Sequence, residues 1–128
     1  MDKATFEKGR AIRSSVLGKE FVDNAFKQAD DFSMPMQELV TEYCWGAVWT
    51  REGLTRQSRS ILNLGMLSAL GRSHELKLHI RGALNNGLSR EEIREVFMQV
   101  AIYCGVPAAV ESFRCAREVF AEIDGKKP

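Results

Sequence analysis

The chain has 128 residues, 45% of them hydrophobic, so we expect one domain over residues 1–128 whose core needs neither a disulfide nor a metal. Its 18 Lys and Arg nearly balance its 17 Asp and Glu, and the net charge of +1 excludes long-range attraction to nucleic acid or to an anionic membrane. Three widely spaced cysteines, and no apolar run near the ~18 residues of a membrane span, favour a protein of the reducing cytoplasm.

The hydrophobic spacing predicts an all-α chain, because no segment alternates apolar and polar residues as a strand does. The first three helices are predicted over residues 2–16, 19–29 and 35–48, and Pro35 suits the first turn of the third. The fourth covers residues 56–70 and is apolar nearly all round. It is therefore predicted to be a central, buried helix.

The later helices have clearer end signals. The fifth is predicted to begin after Ser73 and to end at Asn85-Asn86-Gly87. Ser89 followed by Glu92 forms a capping box that starts the sixth, whose apolar stripe extends to Cys104. The last helix is predicted over residues 107–123, and the tail of residues 124–128 is expected to be frayed.

His79 is the histidine that we select as a proton donor or acceptor. It lies on the apolar face of the fifth helix, and Glu75, one turn earlier, is placed to orient the ring and raise its pKa toward neutral pH. The alternative is a core histidine that bonds a backbone carbonyl. His74, at the helix start, is expected to be exposed and uninvolved.

Three arginines, Arg51, Arg56 and Arg59, flank the loop between the third and fourth helices. A guanidinium there can bind a carboxylate through two parallel hydrogen bonds. Arg59 is preferred because it enters the apolar fourth helix, where a charge needs a partner or a cleft. Arg81 is a second candidate, and a solvated surface arginine is the alternative for each.

The aromatic candidates are Trp45, Trp49 and Tyr103. The two tryptophans are four residues apart and share a helix face, so they could form a wall against a flat ring. A core pair or a subunit contact is the alternative. Tyr103, at the end of the sixth helix, could approach the same region, whereas Cys104 beside it is expected to be inert.

Three segments resemble the 4-carboxymuconolactone decarboxylases, which have an AhpD-like fold. They read EYCWGAVWTREGL over residues 42–54, LHIRGALNNG over 78–87 and AIYCGVPAA over 101–109, and the similarity runs from about residue 32 to about 120. The resemblance implies an all-α domain of six to seven helices. It also implies a ring-shaped homo-oligomer, a trimer or hexamer, that binds a small dicarboxylate lactone and uses no metal and no cofactor.

The resemblance further implies decarboxylation of 4-carboxymuconolactone to 3-oxoadipate enol-lactone in aromatic (protocatechuate) catabolism. In that substrate the ring carbonyl is conjugated with the carboxylate-bearing carbon and takes up the electrons that departing carbon dioxide leaves, so no cofactor is needed. The catalytic residues that we assign by this resemblance are His79, Arg59 and Glu75. The substrate-binding residues are Arg51, Trp45, Trp49, Arg81 and Tyr103.

Departures from the family pattern leave the exact substrate open. Ala47 lies between the tryptophans, where the family tends to carry an acidic residue, and Val110 to Arg114 replace an Asn-His pair and a further histidine. The alternatives are a relative that acts on another small lactone or oxoacid, with a new role for Glu111 or Arg114, and a non-catalytic oligomeric binding protein. Peroxide reduction is disfavoured, because RSHELKLH over residues 72–79 lacks the Cys-x-x-Cys pair of that branch.

Overall fold

The computed structural model describes residues 1–126, and Lys127 and Pro128 lie outside the described residues. Over residues 1–126 the chain is helical and has no strand, so the predicted all-α class is confirmed. None of the helices in this range is both long and apolar enough to cross a bilayer. The elements are α1 (Lys3–Leu17), α2 (Lys19–Gln28), α3 (Met34–Leu39), a π-helix (Val40–Val48), α4 (Arg56–Leu70), α5 (Ser73–Asn85), α6 (Arg90–Cys104) and α7 (Val106–Ile123).

The chain forms two compact units, which we describe one at a time. The N-terminal unit extends from Met1 to Arg56, and the C-terminal unit begins at Gln57. The first holds α1, α2, α3 and the π-helix, and the second holds α4 to α7. A single domain over residues 1–128 stays a prediction.

The N-terminal unit depends on a very close approach of α1 to the π-helix. A Cβ atom on Gly9 would lie 2.0 Å from the carbonyl oxygen of Thr41, and one on Gly46 would lie 2.3 Å from that of Thr5. No side chain fits at either position, so only glycine permits this packing. Val16 of α1 packs beside the two tryptophans as the core of the unit.

The π-helix was not predicted. The sequence suggests one α-helix over residues 35–48, whereas the structure has six residues of α-helix followed by nine of π-helix. The amide of Trp49 donates to the carbonyl of Cys44, five residues earlier, as a π-helix requires. The prediction rests on apolar spacing, which indicates the residues that face the core. Apolar spacing does not distinguish backbone hydrogen bonds to the fourth preceding residue from those to the fifth.

The C-terminal unit has one apolar core to which all four of its helices contribute. The fully buried members include Leu64, Leu76, Ile80, Ile93, Phe97 and Val119. The predicted capping box starts α6, with Ser89 and Glu92 bonding each other's backbone amides. Gly87, with a φ of 94°, ends α5 as predicted, because that left-handed conformation favours glycine.

The prediction that α4 is a central, buried helix is wrong. Its buried residues are Ser60, Leu64 and Ser68, which repeat every four residues and form a narrow stripe. The apolar side chains on its other faces are exposed, namely Ile61, Leu62, Met66 and Leu70. Apolar residues on every face of a helix predict that it is buried, but in α4 only the stripe packs into the core.

The predicted fraying of the tail is wrong at its first residue. Arg90 donates to both carboxylate oxygens of Asp124, at 3.0 and 2.7 Å, and this ion pair fixes the end of α7. Lys127 and Pro128, also part of that prediction, lie outside the described residues. Cys104 is exposed, so the buried stripe of α6 ends before it.

Candidate active site

Two side-chain contacts join α4 and α5 in the C-terminal unit. Nδ2 of Asn63 lies 3.3 Å from Nδ1 of His79. Nδ2 of Asn86 donates to Oγ of Ser60 at 2.9 Å. Between these two contacts the numbering rises along one helix as it falls along the other, so α4 and α5 run antiparallel. His79 is thereby held against the one asparagine of α4.

The residues predicted to be catalytic lie around this contact. Arg59 precedes Asn63 by four residues, so the two share a face of α4. Glu75 precedes His79 by four residues and shares a face of α5 in the same way. Because the helices are antiparallel, Arg59 and Glu75 lie on opposite sides of the contact, each about 6 Å away along the helix axis. Glu75 therefore lies one turn from His79 on α5, and Arg59 lies one turn from Asn63 on α4.

The protonation of His79 differs from the prediction. Burial lowers the pKa of the imidazole from 6.5 to about 4, and the negative charge of Glu75 offsets only part of this effect. The expected rise toward neutral pH is therefore wrong, because removing the ring from water outweighs one exposed carboxylate. At pH 7 the ring is neutral, and it acts as a hydrogen-bond donor or acceptor rather than as an imidazolium acid.

Arg81 and Tyr103 are not brought together with His79. Arg81 makes an ion pair with Glu122 of α7, so a carboxylate already occupies its guanidinium. Tyr103 is 81% exposed and lines a cavity of about 330 Å³ whose wall is formed by residues of α4 and α6. Neither Arg59 nor His79 is among the described residues that line this cavity. Their substrate-binding roles stay predictions.

The tryptophans lie in the core of the N-terminal unit. Trp45 and Trp49 are 3% and 6% exposed, and their rings stack with centroids 4.7 Å apart and an interplanar angle of 25°. This placement favours the alternative of a core pair over a wall for the substrate. Arg51 lies beyond the π-helix in the same unit and is exposed. Its role in substrate binding stays a prediction.

The positions that depart from the family pattern carry no free acid or base. Arg114 donates to both oxygens of Glu111, at 2.8 and 2.6 Å, and also binds Glu118. Arg114 and Ser73 lower the pKa of Glu111 to about 2, so this carboxylate is ionised at any working pH. Val110 and Ala47 are both exposed. A new acid or base role for Glu111 is therefore unsupported by its environment.

Asn63 is the residue that sequence reasoning missed in this region. Its signal is a lone amide between Leu62 and Leu64 in a helix rich in apolar residues. A polar group at such a position needs a partner across the helix interface. The partner could not be identified from the sequence, because the spacing does not say which face of α5 opposes α4.

Comparison of the sequence with known proteins identifies its family. The model of the carboxymuconolactone decarboxylase family matches residues 35–118. The chain is 46% identical over 126 residues to the nitrosuccinic acid decarboxylase npaB of Metarhizium robertsii, covering 98% of this chain and 88% of that protein. It is 34% identical over 122 residues to the 4-carboxymuconolactone decarboxylase of Acinetobacter baylyi, covering 95% and 91%.

The chain belongs to the carboxymuconolactone decarboxylase family, as its motifs predict. Both relatives named above are decarboxylases, and the protein is an enzyme of the carboxy-lyase class. A third relative, an uncharacterized 15.0 kDa protein of Paracoccus denitrificans, is 33% identical over 85 residues, with 65% of this chain and 63% of that protein covered.

Proposed function

We propose that the protein decarboxylates a small dicarboxylic acid whose own electron-withdrawing group stabilises the charge left by carbon dioxide, and that nitrosuccinate is its substrate. The observation that carries the proposal is the 46% identity, over 98% of the chain, to a nitrosuccinic acid decarboxylase. The departures at Ala47, Val110 and Arg114 from the pattern of the lactone enzymes support a substrate other than the lactone.

The chemistry of nitrosuccinate needs little from the protein. One carboxylate and the nitro group share a carbon, so when the bond to that carboxylate breaks, carbon dioxide leaves and the electron pair passes to the nitro group as a nitronate. The carbon then takes up one proton, which gives 3-nitropropanoate. The protein must bind the second carboxylate and stabilise negative charge on the nitro oxygens.

The residues around the Asn63–His79 contact suit these two tasks. A neutral imidazole in a poorly solvated place can donate its N–H to an oxygen on which charge develops, and such a bond strengthens in the transition state. Arg59 would bind the second carboxylate. Glu75, on the other side of the contact, repels a carboxylate and so favours one orientation of a dianion. His79 as the donor of the carbon proton stays a prediction.

A second candidate substrate is 4-carboxymuconolactone. It is favoured by the three matching sequence segments and by the 34% identity over 95% of the chain. Its decarboxylation makes the same demands, because the electron pair passes through the ring double bond to the lactone carbonyl. A proton at the ring carbon beside that carbonyl completes the enol-lactone. The N–H of His79 would bind the lactone oxygen on which charge develops, and the guanidinium of Arg59 would bind the second carboxylate.

The test is to incubate the purified protein with each acid and to measure carbon dioxide and product by NMR, beside a protein-free sample that reports spontaneous loss. We expect turnover of nitrosuccinate at least tenfold faster than any turnover of the lactone. Turnover of the lactone alone would support the second candidate. Binding of both acids without turnover would support the non-catalytic alternative and contradict the proposal.

Three features that are expected from the sequence stay predictions. They are a homo-oligomer, either a trimer or a hexamer, a place in aromatic catabolism, and a cytoplasmic location. The first can be checked by light scattering, which gives the mass of the assembly relative to the 14.4 kDa of one chain. A monomer at working concentration would contradict it.

A further inference from the structure

We propose that Asn63 is a positioning residue that holds the neutral imidazole of His79 in the tautomer whose proton is on Nε2. Nδ2 of Asn63 lies 3.3 Å from Nδ1 of His79. An amide nitrogen carries two protons and accepts no hydrogen bond, so Nδ1 must be the acceptor. A neutral imidazole that accepts at Nδ1 carries its proton on Nε2.

The same contact selects against the protonated ring. In an imidazolium both nitrogens carry protons, so Nδ1–H would face the N–H of Asn63 and the hydrogen bond would be lost. Burial acts in the same direction, because it lowers the pKa of His79 to about 4. Geometry and desolvation therefore agree on a neutral ring with a defined tautomer.

The surroundings keep Asn63 in place. It is adjacent in α4 to Leu64, which is fully buried in the core of the C-terminal unit. The bond from Asn86, which directly follows α5, to Ser60 ties the same two segments about one turn away on α4 and about two turns away from His79. Because both contacts are side chain to side chain across one interface, sliding α4 along α5 would break both at once.

The charged groups near the imidazole come from two helices. Arg59 lies on the Asn63 face of α4, and Glu75 lies on the His79 face of α5. The other charged groups of α5 that contact a neighbouring helix are paired with α7, Lys77 with Glu118 and Arg81 with Glu122. Those pairs satisfy each other, and Glu75 is the charge of α5 that acts on the imidazole, where it offsets part of the effect of burial on the pKa.

The catalytic consequence rests on the proposed function. With the proton on Nε2, the edge of the ring away from Asn63 presents an N–H, which attracts the oxygens of a nitronate or an enolate. In the other tautomer that edge presents a lone pair, which repels them. Asn63 thus decides whether His79 is a donor or an acceptor toward the substrate, although it does not touch the substrate itself.

The tautomer can be read without substrate by long-range ¹H–¹⁵N NMR of the whole protein, since the two ring nitrogens of each tautomer have distinct shifts. The protein has two histidines, and a His74→Gln variant assigns the signals. We expect wild-type His79 to show a protonated Nε2 and a bare Nδ1 at pH 7. A protonated Nδ1, or an even mixture of tautomers, overturns the proposal.

The sharpest variant is Asn63→Asp, which replaces the donor by an acceptor of the same shape. A carboxylate accepts from Nδ1–H, so we expect the tautomer to invert and the neutral ring to carry its proton on Nδ1 at pH 7. The kcat should fall by about a hundredfold, with a smaller change in KM, because the ring orientation is kept while its donor edge is lost. An unchanged tautomer and an unchanged pH profile of kcat would contradict the proposal.

Asn24→Asp is the matched control. Asn24 is an exposed residue of α2 whose side chain accepts a hydrogen bond from Gln28 of the same helix, so the same chemical change there should leave the His79 signals and the pH profile as in wild type. If Asn63→Asp does not fold, the wild-type spectrum alone still decides the tautomer. If the tautomer is as expected but neither acid is consumed, the proposed function fails and the assignment of Asn63 as the tautomer-setting residue stands.

Discussion

Each of the two units removes a basic side chain at least partly from water, but only one of these side chains keeps its charge. In the N-terminal unit the guanidinium of Arg13 is 7% exposed and donates to Oε1 of Gln37 at 2.9 Å and to Oγ1 of Thr41 at 3.2 Å. Burial lowers the pKa of Arg13, yet a guanidinium keeps its proton at any accessible pH. The unit therefore has to supply acceptors for a permanent cation.

In the C-terminal unit the half-buried base, His79, is neutral instead. Burial lowers the pKa of His79 to about 4, and its contact with Asn63 is compatible with a neutral ring. A neutral imidazole offers one N–H and one lone pair to whatever binds beside it. The comparison shows why the polar network of the first unit is structural, whereas that of the second has a group that can respond to a substrate.

The largest effect that we predict concerns the close packing of the N-terminal unit. Gly46→Ala should lower the free energy of unfolding by about 3 kcal/mol or more, because the new methyl would lie 2.3 Å from a backbone oxygen that cannot move independently. The control is Gly65→Ala in α4, where a Cβ meets nothing within 4 Å. It should stabilise the protein by about 0.5–1 kcal/mol through helix propensity. Urea denaturation gives the free energy of unfolding of both variants, and equal changes in the two would contradict the prediction.

A second prediction concerns the dependence of stability on pH. The unfolded imidazole titrates near 6.5 and the folded one near 4, so between these values the unfolded chain binds a proton that the folded chain does not. The free energy of unfolding should therefore fall as the pH drops from about 6.5 to about 4, by at most about 3 kcal/mol from this group. Below pH 4 the imidazole is protonated in both the folded and the unfolded chain, so this group causes no further loss of stability.

The variant that isolates this contribution is His79→Gln. Other groups also change stability in acid, so the relevant quantity is the difference between wild type and variant in urea denaturation at each pH. That difference should change between pH 6.5 and 4 and be flat from pH 7 to 9. A difference that is constant throughout would mean that the imidazole titrates alike in the folded and unfolded chains. Arg13 offers no such signal, because it stays charged.

A smaller effect is expected at Arg59. Arg59→Gln removes the cation beside the contact, and KM for nitrosuccinate should rise by about tenfold because binding of the second carboxylate weakens. The matched control is Arg94→Gln on the exposed side of α6, where the guanidinium lies 3.7 Å from Glu95. Steady-state kinetics of the two variants would give equal KM values if Arg59 does not bind the substrate.

Local signals predicted the fold well where they act within one helix. The capping box at Ser89 and the glycine stop at Gly87 are read from neighbouring residues, and both are present in the structure. The π-helix was missed because its hydrogen-bond pattern has no counterpart in apolar spacing. The burial of α4 was overestimated because composition does not state which faces of a helix meet a neighbour.

The residues of the candidate site stay a prediction, and the chemistry of one of them differs from what the sequence suggested. The face of α5 that carries His79 follows from helical periodicity, whereas the role of Arg59 stays a prediction. The neutral state of the imidazole was not predictable, because it depends on how much water the fold removes from the ring. The contact of Asn63 was not predictable either, because its partner lies sixteen residues away on another helix.

The most direct test of the account compares the initial rates at which wild type, His79→Ala and His74→Ala release carbon dioxide from nitrosuccinate at pH 7. We predict that loss of the His79 imidazole lowers kcat by roughly a hundredfold with the helical circular dichroism unchanged, whereas the exposed His74 can be replaced without effect. Equal rates for wild type and His79→Ala would contradict the claim that the neutral imidazole between α4 and α5 is the catalytic group.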